Sequence, residues 1–186
     1  MNDLAVPRVN PGSPSHVLGC DPDTHGGFVV IDGDARIVKV RRIPVRQRKV
    51  GKRMRREMLY AETAALFRQI AGEFPLALAV VEAASTGAQR RTRTRDGLTG
   101  TRDLGPIHQT VGAIRMLGAV YATRVELAWP SAWKRKMGTT SDKERSVYLA
   151  REEFPESARL FTHANHGLAE AALIALYGLR HLAEKS

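Results

Sequence analysis

The residues of this chain whose types and positions could do chemistry are acids at the ends of apolar runs. His16-Val17-Leu18-Gly19-Cys20 leads into Asp21, followed by Pro22-Asp23-Thr24-His25-Gly26, and Leu76-Ala77-Leu78-Ala79-Val80-Val81 leads into Glu82. Both runs have the length and composition of buried strands, and open α/β sheets place their ligands at the carboxyl ends of such strands. Two carboxylates brought together there repel each other and are partly desolvated, so the arrangement needs protons or a cation. A divalent metal bound through oxygen is the usual solution.

A third site of this kind lies near the carboxyl end of the chain. His166 and Glu170 are four residues apart in a stretch with helical periodicity, so they share one face about one turn from each other and can ligate one ion. Their surroundings, Ala169, Ala171, Ala172, Leu173, Ile174, Ala175 and Leu176, are apolar and small. A charged Glu170 turned toward a sheet would need compensation, which a metal shared with Asp21 and Glu82 would supply. The competing reading makes His166 and Glu170 the exposed start of an amphipathic helix, where an acid suits the helix dipole. Asp23 and His163 are further possible ligands, although Asp23 also suits an organiser of its own turn and His163 a helix cap or a solvent contact. His25 and His108 have no companions at metal spacing and are read as structural or phosphate-contacting.

The elements that must position these residues follow from periodicity. Order is expected from His16, with strands at Gly27 to Ile31 and Arg36 to Ile43 joined by Asp32-Gly33-Asp34, a hairpin signal. Met54, Met58, Leu59, Ala61, Ala65, Leu66 and Ile70 predict a helix from about Lys52 to Glu73, ended by Phe74-Pro75. A right-handed crossover through it would lay the Glu82 strand parallel to the Asp21 strand, with both acids at one edge. Residues 84–104 lose hydrophobic periodicity and read as a long basic loop, including Arg90, Arg91, Arg93 and Arg95. A helix from Pro106 to Thr123 and a short strand from Val125 to Ala128 follow. Ser141-Asp142-Lys143-Glu144 matches a capping box with Ser141 as N-cap, opening a helix that runs to about Phe154-Pro155. The last helix spans about Asn165 to Ala183. The order argues a mixed α/β sheet, three antiparallel strands and then parallel ones, flanked by helices.

Composition bounds the function. The 186 residues suit one domain, expected over 16–186 after a flexible, proline-containing leader at 1–15. The net charge of +10, from 29 Lys+Arg against 19 Asp+Glu, favours a polyanionic partner such as nucleic acid. The basic residues crowd into Arg41-Arg42, Arg46 to Arg56, Arg90 to Arg95 and Lys134-Arg135-Lys136, where a phosphate backbone could be reached. No apolar stretch is long enough for a membrane span, the leader has no signal-peptide core, and Cys20 is the only cysteine, so a soluble protein of a reducing compartment is expected.

With these residues in order, the chain resembles the RNase H-like nucleases, and among them the RuvC-type Holliday junction resolvases. Leu18-Gly19-Cys20-Asp21-Pro22-Asp23 is similar to the first-strand motif of that group, and Val80-Val81-Glu82 to its central Glu motif. Lys136-Met137-Gly138-Thr139-Thr140-Ser141-Asp142-Lys143-Glu144 resembles the region ahead of its penultimate helix, and Asn165-His166-Gly167-Leu168-Ala169-Glu170-Ala171 its terminal acidic motif. Trp133-Lys134 and the four-residue spacing of His166 and Glu170 resemble the chloroplast Holliday junction resolvase group, from which Asn165 (for Asp) and Leu168 (for Arg) depart.

The resemblance implies an RNase H-like five-stranded mixed sheet and a homodimer that nicks a four-way DNA junction symmetrically. It implies two Mg²⁺ per active site, with Mn²⁺ able to substitute, Asp21 bridging them, Glu82 and Glu170 completing either side, and His166 ligating or orienting water. Lys134, Lys136 and Lys143 would contact phosphates, and Arg90, Arg91, Arg93 and Arg95 would enter the junction centre. No membrane and no small-molecule cofactor is implied. The location would be intracellular and nucleoid-associated: the chloroplast in a plant, otherwise a bacterial or virus-infected host cytoplasm. Other readings on the same residues are a different RNase H-like nuclease, a transposase-type catalytic domain, or a non-catalytic junction-binding protein.

Overall fold

Alternation along two strands decides which way the acids face. In the computed structural model, which describes residues 16–51, 53–84, 92–93, 99–100 and 105–181, β1 (His16–Asp21), β2 (Gly27–Ile31), β3 (Ile37–Arg42), β6 (Leu76–Glu82) and β9 (Ala122–Ala128) form one sheet. Its order is β3-β2-β1-β6-β9. The pairs β1/β2 and β2/β3 are antiparallel, while β1/β6 and β6/β9 are parallel, as the crossover argument requires. Val17, Val29, Ile31, Leu78 and Val80 bury on one face against α5 (His166–His181) and α4 (Lys143–Glu153). Leu18, Cys20, Phe28, Val30, Ala79 and Val81 bury on the other, against Phe67 and Ile70 of α1 (Tyr60–Glu73) and Ile114 of α2 (Gly105–Tyr121). A strand's side chains alternate faces with a period of two. Asp21 therefore follows Val17 and Gly19, and Glu82 follows Leu78 and Val80, onto the α5 face.

Close approach of α5 to the sheet depends on Gly19. A Cβ there would stand 2.2 Å from the Ala171 carbonyl oxygen and 2.4 Å from the Ala175 nitrogen, so the helix backbone rests directly on β1. The small residues Ala171, Ala172 and Ala175 make the same contact possible from the helix side, and all are fully buried.

Several expectations are corrected. The helix expected from Lys52 begins only at Tyr60; ahead of it, β4 (Val45–Val50) and β5 (Arg53–Met58) form an antiparallel ribbon. Gly51, with φ +61°, turns the chain, and Val45 pairs with Met58, whose side chain is buried while Met54 is 61% exposed. The helix-like spacing of Met54 and Met58 thus falls on a strand, with only Met58 at the core. The N-cap of α4 is Asp142 and not Ser141: the Asp142 side chain accepts a hydrogen bond from the Glu144 nitrogen at 3.0 Å. In the β2–β3 turn the left-handed residue is Ala35, at φ 61°, and Asp32 accepts from the nitrogens of Asp34 and Arg36. The stretch read as one basic loop contains a short antiparallel pairing of β7 (Thr92–Arg93) with β8 (Thr99–Gly100). Pro130 opens a further helix, α3 (Pro130–Lys136), that the periodicity did not announce. The leader lies outside the described residues.

Candidate active site

Asp21 and Glu82 are neighbours across the sheet edge. Cys20 pairs with Val81, so the residues that follow stand side by side on adjacent parallel strands. Glu82 is in turn opposite Ala128, after which β9 runs into Trp129 and α3. α3 closes the site from that side. The indole nitrogen of fully buried Trp133 donates to Glu82 Oε1 at 3.0 Å, and Lys134 Nζ donates to Glu170 Oε1 at 2.6 Å. The Ser146 hydroxyl, from α4, lies 3.4 Å from the same Glu170 oxygen and 3.2 Å from the Thr139 hydroxyl.

The electrostatics follow from burial. Asp21 is 4% exposed, and burial, then the charges of Glu82 and Glu170, hold its carboxyl well above the usual carboxylate range; a hydrogen bond from the Asp23 nitrogen offsets this only in part. Burial likewise pushes Glu82 up to about 7, against the opposing hydrogen bond from Trp133, with Glu170 adding to the rise and Lys134 reducing it. Three acids from β1, β6 and α5 therefore feel one another in a desolvated corner.

Of the residues singled out from sequence, the fold brings Asp21, Glu82 and Glu170 together. His166 sits at the first residue of α5, its ring stacked on His25 at 6.2 Å and its Nδ1 3.1 Å from the His163 carbonyl oxygen. Among the described residues it makes no hydrogen bond or ion pair to the three acids. His25, read as solitary, is thus its ring partner. Lys134 faces inward onto Glu170 and is 18% exposed, whereas Lys136 and Lys143 lie exposed at the end of α3 and the start of α4. Arg90, Arg91 and Arg95 lie outside the described residues, as does the side chain of Arg93. Sequence reasoning by residue type missed Trp133, Thr139 and Ser146 as supports of the acids; only the Trp133-Lys134 resemblance pointed toward α3.

The donor set fits a hard divalent cation. All three acids are oxygen donors, and the rise at Asp21 and Glu82 arises from desolvated negative charge that a cation would neutralise. As placed, no three His, Cys, Asp or Glu side chains among the described residues stand close enough to enclose an ion, and the Lys134 ammonium supplies the positive charge at Glu170. Among the described residues no helix is long and apolar enough to cross a membrane.

No family model matches the chain, and no curated protein matches it. Solved structures do. A structure described as T. thermophilus RuvC in complex with Holliday junction substrate is 15% identical, with a TM-score of 0.55 over 88% of this chain and 91% of that one. A second, Thermus thermophilus RuvC structure is also 15% identical, with a TM-score of 0.50 over 87% of this chain and 91% of that one. The chain has an RNase H-like fold similar to that of RuvC.

Proposed function

We propose that this chain is a structure-selective endonuclease that resolves four-way DNA junctions by symmetric paired nicking. The observation that carries the reading is the convergence of Asp21, Glu82 and Glu170 at one sheet edge, two of them desolvated and raised, in a fold similar to that of RuvC. In this reading buried Asp21 would be the ligand shared by two cations, with Glu82 and Glu170 as the further ligands. Bound there, Mg²⁺, or Mn²⁺ in its place, would generate the attacking hydroxide and stabilise the leaving oxygen of phosphodiester hydrolysis.

The protein's own groups do the holding. Trp133 fixes one oxygen of Glu82, Lys134 and Ser146 fix one oxygen of Glu170, and Gly19 lets α5 come close enough for Glu170 to reach the site. His166, stacked on His25 at the start of α5, would orient water or ligate when metal is present. Lys136 and Lys143, exposed beside the site, would take phosphates, and the arginines of the 84–104 segment would enter the junction centre.

Paired nicking requires two sites related by a two-fold axis, hence a homodimer. The exposed apolar face of α2, with Met116 70% and Val120 47% exposed beside Gly112 and Ala119, supports one. The Trp133-Lys134 pair and the His166–Glu170 spacing support a likeness to the chloroplast group, with 16–186 read as one nuclease domain.

The test is incubation of the protein with labelled four-way junction, linear duplex and single strand in Mg²⁺ and in Mn²⁺. Paired nicks at symmetric positions, confined to the junction, are expected. Cutting of all three substrates alike would point to a general nuclease, and binding without cutting to a non-catalytic junction protein.

A further inference from the structure

The β4–β5 ribbon is the most strongly charged feature among the described residues, and the site does not use it. Arg46, Arg48, Lys49, Arg53, Arg55 and Arg56 stand against the single acid Glu57. Glu57 accepts from Arg46 at 3.1 Å and from Arg48 at 3.4 Å, while Lys49, Arg55 and Arg56 form no ion pair among the described residues. Register makes the excess more pointed, because Arg48 and Arg55 are direct cross-strand partners. Like charges opposite each other destabilise a ribbon, and an isolated two-stranded hairpin is marginal in water even without them. β4 and β5 pair only with each other, so the five-stranded sheet gives them no ladder support.

The ribbon is nonetheless anchored at its base, and that base lies at the sheet edge that carries Asp21. Ile43 and Met58 are buried with the core, and the Leu59 nitrogen donates to the Pro44 carbonyl oxygen at 2.9 Å. Across the sheet, Arg42 pairs with Gly27, and Gly27 with Asp21, so the chain leaves β3 for the ribbon at the edge where Asp21 sits. Two strand spacings separate them, about 10 Å, and six residues of ribbon extend about 20 Å farther. That span is less than one turn of duplex.

We propose that the β4–β5 ribbon lies along a duplex DNA arm beside the cleavage site and neutralises its phosphates through Arg46, Arg48 and Arg55, which the register and the alternation of strand side chains put on one face. The inference rests on the proposed DNA substrate and adds to it a second contact surface that is independent of the carboxylates. Phosphates relieve the Arg48–Arg55 repulsion, so the ribbon is most ordered on DNA. The contact is to backbone, hence independent of sequence.

The experiment compares the wild-type protein with the triple variant Arg46→Gln, Arg48→Gln, Arg55→Gln, using junction and linear DNA duplex, with an RNA duplex as control, over 50 to 200 mM salt. Loss of three phosphate contacts should reduce the salt slope by about 2.7, so that wild-type binding weakens roughly 40-fold more than that of the variant across this range. Cleavage at saturating protein should be unchanged. The corresponding Lys variants should keep the wild-type slope, and Arg55→Gln alone should leave the melting temperature equal or higher, which separates charge from misfolding. An unchanged slope in the folded triple variant, or a loss confined to the RNA duplex, overturns the proposal. If junctions are cut but the slope is unchanged, the ribbon reading fails and the proposed function stands. If nothing is cut while DNA duplex binding still loses this slope, the reverse holds.

Discussion

Lys134 Nζ meets Glu170 Oε1 at 2.6 Å, joining α3 to α5 across the corner where the two strand-end acids sit. Its neighbour Trp133 meets Glu82 at 3.0 Å, so consecutive residues of one short helix hold two different acids. The ammonium provides charge compensation in the absence of metal, and the indole fixes Glu82 without adding charge.

Replacing Lys134 with Met should strand Glu170, since the pair is only 18% and 12% exposed. Breaking a largely buried pair by removing one partner costs about 3 kcal/mol or more. Chemical denaturation without metal at pH 7.5 should show that loss, and saturating Mg²⁺ should recover part of it by binding the folded state alone. A loss of under half a kcal/mol would mean the pair contributes little.

Asp21→Asn removes a buried carboxyl whose ionisation is opposed by burial, Glu82 and Glu170. The variant should be more stable than wild type at neutral pH without metal, should still bind four-way junctions, and should cut them at least about 100-fold more slowly, a ligand mattering more than its supporting residues do. Cleavage at the wild-type rate would remove Asp21 from the site.

Stability without metal should fall as pH rises. Glu82 titrates at about 7 in the folded chain against 4.5 for the free group, so between these values the folded state holds more protons than the unfolded one. The stabilisation is fully present below about 4.5, is lost as pH rises through about 7, and amounts to roughly 3 kcal/mol. Asp21, also raised, acts in the same direction. Melting curves from pH 5 to 8 should show the decline, and Mg²⁺ should flatten it; a rise with pH would contradict the charge arrangement.

Trp133→Phe should move Glu82 upward, because the indole hydrogen bond is the interaction that most opposes its rise. Carboxyl-carbon NMR titration of Glu82 would show the shift, and the lower limb of the pH–rate profile should move with it. A Glu82 titration identical to wild type would mean the indole does not reach that oxygen in solution.

Gly19→Ala should push α5 away from β1, since its Cβ would meet the Ala171 carbonyl oxygen at 2.2 Å, backbone that has no rotamer to yield. A cost of about 1 to 3 kcal/mol is expected for such overpacking, with loss of metal-induced stabilisation as Glu170 withdraws. Calorimetry with and without Mg²⁺ measures both.

The sequence by itself determined that Asp21 and Glu82 end buried strands, that His166 and Glu170 share a helix face, and that the chain carries a large positive excess. It did so because apolar runs and fixed spacings are local, and local geometry follows from them. Even locally it failed where two periods competed: Met54 and Met58 fit a helix, but Pro44, the turn at Gly51 and the packing of half-buried Val45 and buried Met58 against the core made them a ribbon. Only the tertiary structure decided that α5 docks on the face the acids share, because that depends on Gly19 admitting it, and decided that Trp133, Lys134 and Ser146 support them. Those contacts join residues 51, 36 and 24 positions apart, and no periodicity in a chain records a meeting set by how its helices dock on its sheet.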